Sequence, residues 1–104
     1  RRYLSKETWA LFTTEKSKIS RRGLGFDKPD VVNESKSPCA ASVPVTVYGH
    51  TGFTGTCAWV DPDNGLIYVF LSNRTYPDAW VNKLSKLEIR EKIQETIYEA
   101  MKEK

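Results

Sequence analysis

"VTVYGHTGFTGTCAWVDPDNGLIYVFLSN", residues 45–73, contains strand-like runs and the tight turn between two of them. Val45, Val47 and Gly49 alternate with Thr46, Tyr48 and His50, and a second run sets Thr54, Thr56, Ala58 and Val60 against Gly55, Cys57 and Trp59. Side chains two apart share one face of a strand, so each run predicts a strand with two distinct sides. "DPDNG" (61–65) is a turn in which Pro62 fixes φ and Asn64-Gly65 tolerates positive φ. "LIYVFL" (66–71) is six apolar or aromatic residues in succession, the pattern of a strand buried on both faces. The expectation is a hairpin through 61–65 whose second strand is central in its sheet.

Upstream, "VVNESKSPCAASVP" (31–44) is polar, rich in Ser and Pro, and follows neither period, so it predicts a loop. A structureless loop of this length usually means a functional edge or disorder. "SRRGLGFDKPD" (20–30) alternates apolar and small residues and predicts a short strand closed by the Asp-Lys-Pro-Asp turn. In "SKETWALFTT" (5–14), Ser5 is a credible N-cap ahead of Trp9, Leu11 and Phe12, and a short helix follows. Downstream, Leu84, Leu87, Ile89, Ile93, Ile97 and Met101, joined by Ala100, recur at three and four residues with charge between them. This predicts one amphipathic helix whose apolar stripe packs on the sheet, with Glu88 and Lys92 four apart in the stabilising order. The sum is an α+β fold: an antiparallel sheet flanked by N- and C-terminal helices. Residues 1–104 form a single domain, with a helix and connection at 1–19, the sheet at 20–73 and the last helix at 81–104.

Composition excludes several classes. Sixteen basic residues against thirteen acidic ones give +3, and apart from Arg1-Arg2 and Arg21-Arg22 the positive charges are dispersed, so no nucleic-acid footprint forms. No apolar run reaches the ~18 residues of a membrane span. Two cysteines, Cys39 and Cys57, and one histidine make no metal site and no disulfide scaffold. A Cys39–Cys57 bridge stays open, although Cys57 reads better as a small apolar residue on a packed strand face. Gly49, Gly52 and Gly55 do not form a phosphate-cradling fingerprint, and no cofactor is expected. The opening "RRYLSKETWALFTTEKS" reads as a segment already under way, so the chain is expected to be a piece of something longer.

The chemistry, if any, centres on "YGHTGFTGT" (48–56), which holds the only histidine among small residues. Histidine is the side chain whose ordinary pKa, near ~6.5, lies closest to neutrality. "HTGFTG" (50–55) resembles the third signature of the serine β-lactamases and penicillin-binding proteins, normally Lys-Thr-Gly, with His-Thr-Gly a variant in some peptidases and esterases. The likeness extends in order through Thr54-Gly55, the Asp61-Pro62 turn, "LIYVFLSNR" (66–74), Tyr76-Pro77 and the last helix. "RRGLGF" (21–26) resembles the Gly-Leu-Gly strand that precedes the signature. The chain is similar to the closing segment of class C β-lactamases and related esterases, including serine-hydrolase regions fused behind a family-3 glycoside hydrolase module.

That resemblance implies a partial β-lactamase/transpeptidase-like fold in which this strand walls an active cleft. It assigns the backbone N–H of Phe53 to an oxyanion hole, Gly52 to a wall clear of side chain, Thr51 to a substrate carboxylate or carbonyl, and His50 to a donor near the nucleophile. It places Thr54 and Asp78 beside the substrate. The Ser-x-x-Lys nucleophile motif and the second signature are absent from the chain. Acyl transfer needs nucleophile, base and oxyanion donors together, so the chain alone is expected to be inactive. Asp78 stands where class C β-lactamases carry Asn, and His50 replaces Lys. Both point to an esterase, peptidase or amidase acting on a small-molecule or peptide substrate. The resemblance also implies a periplasmic or secreted bacterial setting. The alternative is a non-enzymatic binding module using Trp9, Trp59, Trp80 or the 31–44 loop. On either account an unpaired sheet edge predicts self-association.

Overall fold

The computed structural model describes residues 2–102; Arg1 of the first arginine pair, and Glu103 and Lys104 at the end of the expected last helix, lie outside the described residues. Three antiparallel strands, β1 (Tyr48–Thr51), β2 (Cys57–Asp61) and β3 (Leu66–Phe70), form one sheet in the order β1-β2-β3. Its rows run Tyr48–Val60–Ile67, Gly49–Trp59–Tyr68, His50–Ala58–Val69 and Thr51–Cys57–Phe70. The central strand is therefore β2, and β3, expected to be central, is an edge. Its apolar run is buried on one side only: Tyr68 is buried while Ile67 and Val69 face outward and are exposed.

α1 (Lys6–Thr13) begins as its sequence indicates, with Ser5 Oγ accepting the Thr8 N–H at 3.1 Å. Trp9 on α1 donates its ring N–H to Tyr48 Oη at 3.3 Å, and Phe26 also stacks edge-on against Tyr48. Residues 20–30 are not the expected strand. Gly23 N–H donates to Phe26 O, closing a tight loop, and Leu24 N–H donates to Leu11 O at the end of α1. In this segment only Asp27 pairs its backbone with the sheet, exchanging two bonds with Gly49, of 2.8 and 3.1 Å. The glycine is required here by close approach: a Cβ at Gly23 would lie 2.2 Å from Phe12 O.

The 31–44 segment is a loop, as expected, with one 3-10 turn, Glu34–Lys36; its first half is exposed and its second half is mostly packed. Cys39, Ala40 and Val43 enter the core with Val47, Cys57, Trp59, Tyr68 and Tyr98. The final helix secures it. Gln94 Oε1 accepts the Ala40 N–H at 2.8 Å, and the Glu95 carboxylate accepts both the Ser42 N–H and the Ser42 hydroxyl.

That helix is broken, against expectation. α2 (Lys83–Lys86) stops at Leu87, Glu88 takes a left-handed φ of 54°, and α3 (Ile89–Lys102) starts anew. Glu88 therefore serves the junction instead of pairing with Lys92 along one helix face. The buried stripe of α3 is Arg90, Gln94 and Tyr98, whereas Ile93 stays 38% exposed and Ile97 is only partly buried. The reason is polar. Arg90 O accepts the Tyr68 hydroxyl, Gln94 holds Ala40, and the Tyr98 hydroxyl donates to Asp61 Oδ2 at 2.5 Å. Most buried polar groups are paired, and the side-chain bonds of Gln94 and Tyr98 favour the face that turns inward.

Cys57 packs on the covered side of β2 as expected, and Cys39 and Cys57 are both free thiols. Burial pushes both thiols above the usual cysteine range. Among the described residues no helix is long and apolar enough to cross a membrane.

Candidate functional site

β1 and the turn after it carry the predicted residues, and hydrogen-bond alternation decides where each points. Asp27 occupies both backbone groups of Gly49 on the outer edge of β1. In an antiparallel ladder, residues bond alternately inward and outward. His50 and Gly52 therefore bond towards β2, as the 2.8 Å bond from Gly52 N–H to Thr56 O attests. Thr51 and Phe53 fall on the outer side. The Phe53 N–H has no hydrogen-bond partner among the described residues, its side chain is exposed, and its carbonyl accepts Arg74 Nε at 2.8 Å. The Arg74 guanidinium also lies 4.4 Å from the Phe53 ring centroid. Its Nη1 donates to Ala79 O at 2.6 Å, which fixes the 74–79 turn against the tip of β1.

Successive strand residues face opposite ways, so the structure does not put His50 and Thr51 on one side. His50 shares the open face with Ala58 and Val69, and its ring contacts Arg22 Nη1 and Thr51 O. Thr51 lies on the α3 side. The space a Cβ would fill at Gly52 is occupied by Thr56 Oγ1, 2.3 Å away. This glycine thus makes room within its own hairpin. Behind His50, burial would raise the Asp27 carboxyl, but the Arg21 hydrogen bond, the Lys28 N–H and the charges of Arg21 and Arg22 hold it below the usual carboxylate range.

A cavity of about 240 Å³ opens beside Thr51, Gly52 and Phe53, closed by Gly55, Arg74, Asn82, Ser85 and Arg90. Gly55 has φ 94°, which suits glycine, and lets Leu84, Ser72 and Arg74 crowd the turn. Arg90 is buried; Nη2 donates to Ser85 Oγ at 3.1 Å and Nη1 to Thr56 O at 3.4 Å, while Nε has no partner. An unmet buried donor costs about 1–3 kcal/mol; together with the half-exposed Arg74, the Arg90 guanidinium gives the cavity two cationic lining residues. Ser85 Oγ is bonded to a guanidinium, which only donates and cannot take a proton. It has no base at that contact to make it a nucleophile. Thr54 contributes its carbonyl to Ser72 and Arg74, and Asp78 caps the Trp80 N–H at 2.9 Å. Neither lines the cavity, and nor does His50.

Sequence reasoning missed Arg74, Asn82, Ser85 and Arg90. The available signal was a basic residue interrupting the helical stripe at 90, which periodicity alone assigns to solvent. Of the tryptophans considered for a contact-only module, Trp59 is core and 2% exposed, leaving Trp80 exposed and Trp9 bonded to Tyr48. Among the described residues no three His, Cys, Asp or Glu side chains come together to hold a metal.

The sequence matches the family described as Beta-lactamase over residues 3–89. Two relatives carry the name "Putative D-alanyl-D-alanine carboxypeptidase". The one from Escherichia coli O157:H7 is 36% identical over 72 residues, covering 69% of this chain and 16% of the relative. The one from Escherichia coli K12 is 36% identical over 70 residues, covering 67% of this chain and likewise 16% of the relative. The matched stretch thus corresponds to a small part of those proteins. No solved structure matches.

Proposed function

The chain belongs to the β-lactamase family, and from that premise we propose that it supplies one wall and one oxyanion donor of a serine acyl-transfer site whose nucleophile lies elsewhere in the parent protein. The observation that carries this is the Phe53 amide: it follows the outer edge of β1 on an exposed residue, has no hydrogen-bond partner among the described residues, and borders a cavity lined by Arg74 and Arg90. A fixed backbone donor aimed at a developing oxyanion contributes on the order of 3 kcal/mol to such reactions. Thr51, on the same edge, offers a hydroxyl to the substrate, and His50 closes the wall on the opposite face. Arg74 and Arg90 present positive charge where an acyl donor ending in a carboxylate would lie. A D-alanyl-D-alanine peptide, the substrate named for the two relatives, has such an end. The substrate class is therefore a peptide or small ester bearing a carboxylate, hydrolysed in a periplasmic or secreted bacterial protein, with Thr54 and Asp78 at the margin of the site. The chain alone brings no Ser-x-x-Lys and is inactive by itself.

The test uses the full-length parent with ester, amide and β-lactam substrates. Phe53→Pro deletes the N–H and is expected to lower kcat by about 10²–10³-fold, whereas Phe53→Ala, which keeps it, changes kcat little. His50→Ala is expected to lower activity as well. Equal activity of the Pro and Ala variants would remove Phe53 from the oxyanion hole.

A further inference from the structure

We propose that Arg22 is a positioning residue for His50, locking the imidazole with its proton on Nδ1 and keeping a permanent positive charge at this point of the wall. The inference rests on the cleft-wall reading above but comes from separate contacts. Arg22 Nη1 lies 2.8 Å from His50 Nε2. A guanidinium can only donate, so Nε2 must present its lone pair. His50 Nδ1 lies 2.5 Å from Thr51 O. A carbonyl can only accept, so Nδ1 must carry the hydrogen. The two contacts select the same tautomer independently.

Arg22 is itself held in place. Its Nη2 lies 3.4 Å from Asp27 Oδ2, and Asp27 is gripped by Arg21 through Nε at 2.7 Å and Nη2 at 3.0 Å. The Asp27 backbone bonds to Gly49, the residue before His50. Asp27, Arg22 and His50 thus form a chain of contacts that returns to the strand it serves. The Asp27 side chain is 3% exposed and that of Arg22 44% exposed, so the anchor is buried while the guanidinium keeps a solvent-facing side. While Arg22 occupies Nε2, His50 cannot donate from that nitrogen. Any donation from this point of the wall comes from the guanidinium, a cation that does not lose its proton in proteins.

Because His50 is the only histidine of the chain, ¹⁵N-histidine NMR reads its two ring nitrogens without overlap. The expected result is a protonated Nδ1 in the unaltered chain, a measurably weaker preference for it in Arg22→Met, where the Thr51 carbonyl alone still selects it, and its recovery in Arg22→Lys. In the full-length parent, Arg22→Met should lower kcat roughly ten-fold, the scale of one charge-assisted hydrogen bond, and Arg22→Lys should restore most of it. An unchanged tautomer preference in Arg22→Met, or an unchanged kcat despite a weakened preference, would overturn the assignment. Full activity in His50→Ala would instead refute His50's place in the wall, while the NMR result would still decide the Arg22 contact.

Discussion

Trp59 and Tyr68 lie on one face of the sheet beneath α3, 2% and 6% exposed, while Ile67 and Val69, from the same strands' opposite face, are 68% and 54% exposed. Both faces are apolar. They differ in having a cover. The covered face is sealed by α3 and the 38–43 strap through directed bonds from Gln94, Glu95, Tyr98 and Arg90. The open face is capped only at the Tyr48 end, by Trp9 and Phe26. Alternation along a strand divides the two sides; whether a side becomes core depends on what is laid over it. His50 and Arg22 meet on the open side, whereas Thr51 and the Arg90 cavity belong to the covered one.

The largest break in that comparison comes from Trp59→Ala, expected to cost about 3–5 kcal/mol in a denaturant titration. Val69→Ala, in the adjacent row on the other face, should stay within about 0.5 kcal/mol. Similar costs at the two positions would mean that the open face is also packed in solution.

A smaller effect is expected at the polar seal. Burial alone would raise the Asp61 carboxyl, but the bonds from Tyr98, Asn64 and the Asp63 and Asn64 N–H groups outweigh it and hold the group below its usual range. A carboxyl depressed in the folded state binds fewer protons there than in the unfolded chain. Its stabilisation is therefore present above the ordinary carboxylate pKa of ~3.9 and is lost as pH falls through the lower folded value. Asp27 behaves alike. Tyr98→Phe should cost about 1–3 kcal/mol at neutral pH and make the acid-side loss of stability shallower. An unchanged acid limb in equilibrium unfolding would show that Asp61 does not depend on Tyr98.

The smallest effect on stability, yet a direct probe of the open face, is Val69→Lys. It should leave the unfolding free energy nearly unchanged while reducing self-association of the chain through the exposed β3 edge and face. Sedimentation velocity would measure this. A monomer at every concentration without the substitution would remove the association.

Ser5 and the Asp61–Gly65 turn were legible because each acts through neighbours within a few residues. So were β2 and β3 as strands, since alternation and apolar runs are local patterns. The edge position of β3, the break at Glu88 and the inward turn of Arg90 were not legible, for each depends on partners far along the chain. Gln94 faces the core because Ala40 needs an acceptor, and Tyr98 because Asp61 needs a donor. The same limit applied at the candidate site. His50 to Phe53 stood out as a contiguous motif, whereas Arg74 and Arg90 reach the cavity beside Thr51, Gly52 and Phe53 from separate elements, and Arg22 finds His50 across 28 positions.

By itself the sequence determined that this protein would be an α+β hairpin sheet with a terminal helical region, and it singled out one histidine-bearing strand as the candidate site. Those features follow from side-chain periodicity and turn stereochemistry, which act over a few residues. Tertiary structure alone decided which sheet face is core, which helix face is buried and which backbone amide remains unpaired. Burial and hydrogen-bond satisfaction are settled between elements, once each polar group has found or failed to find its partner.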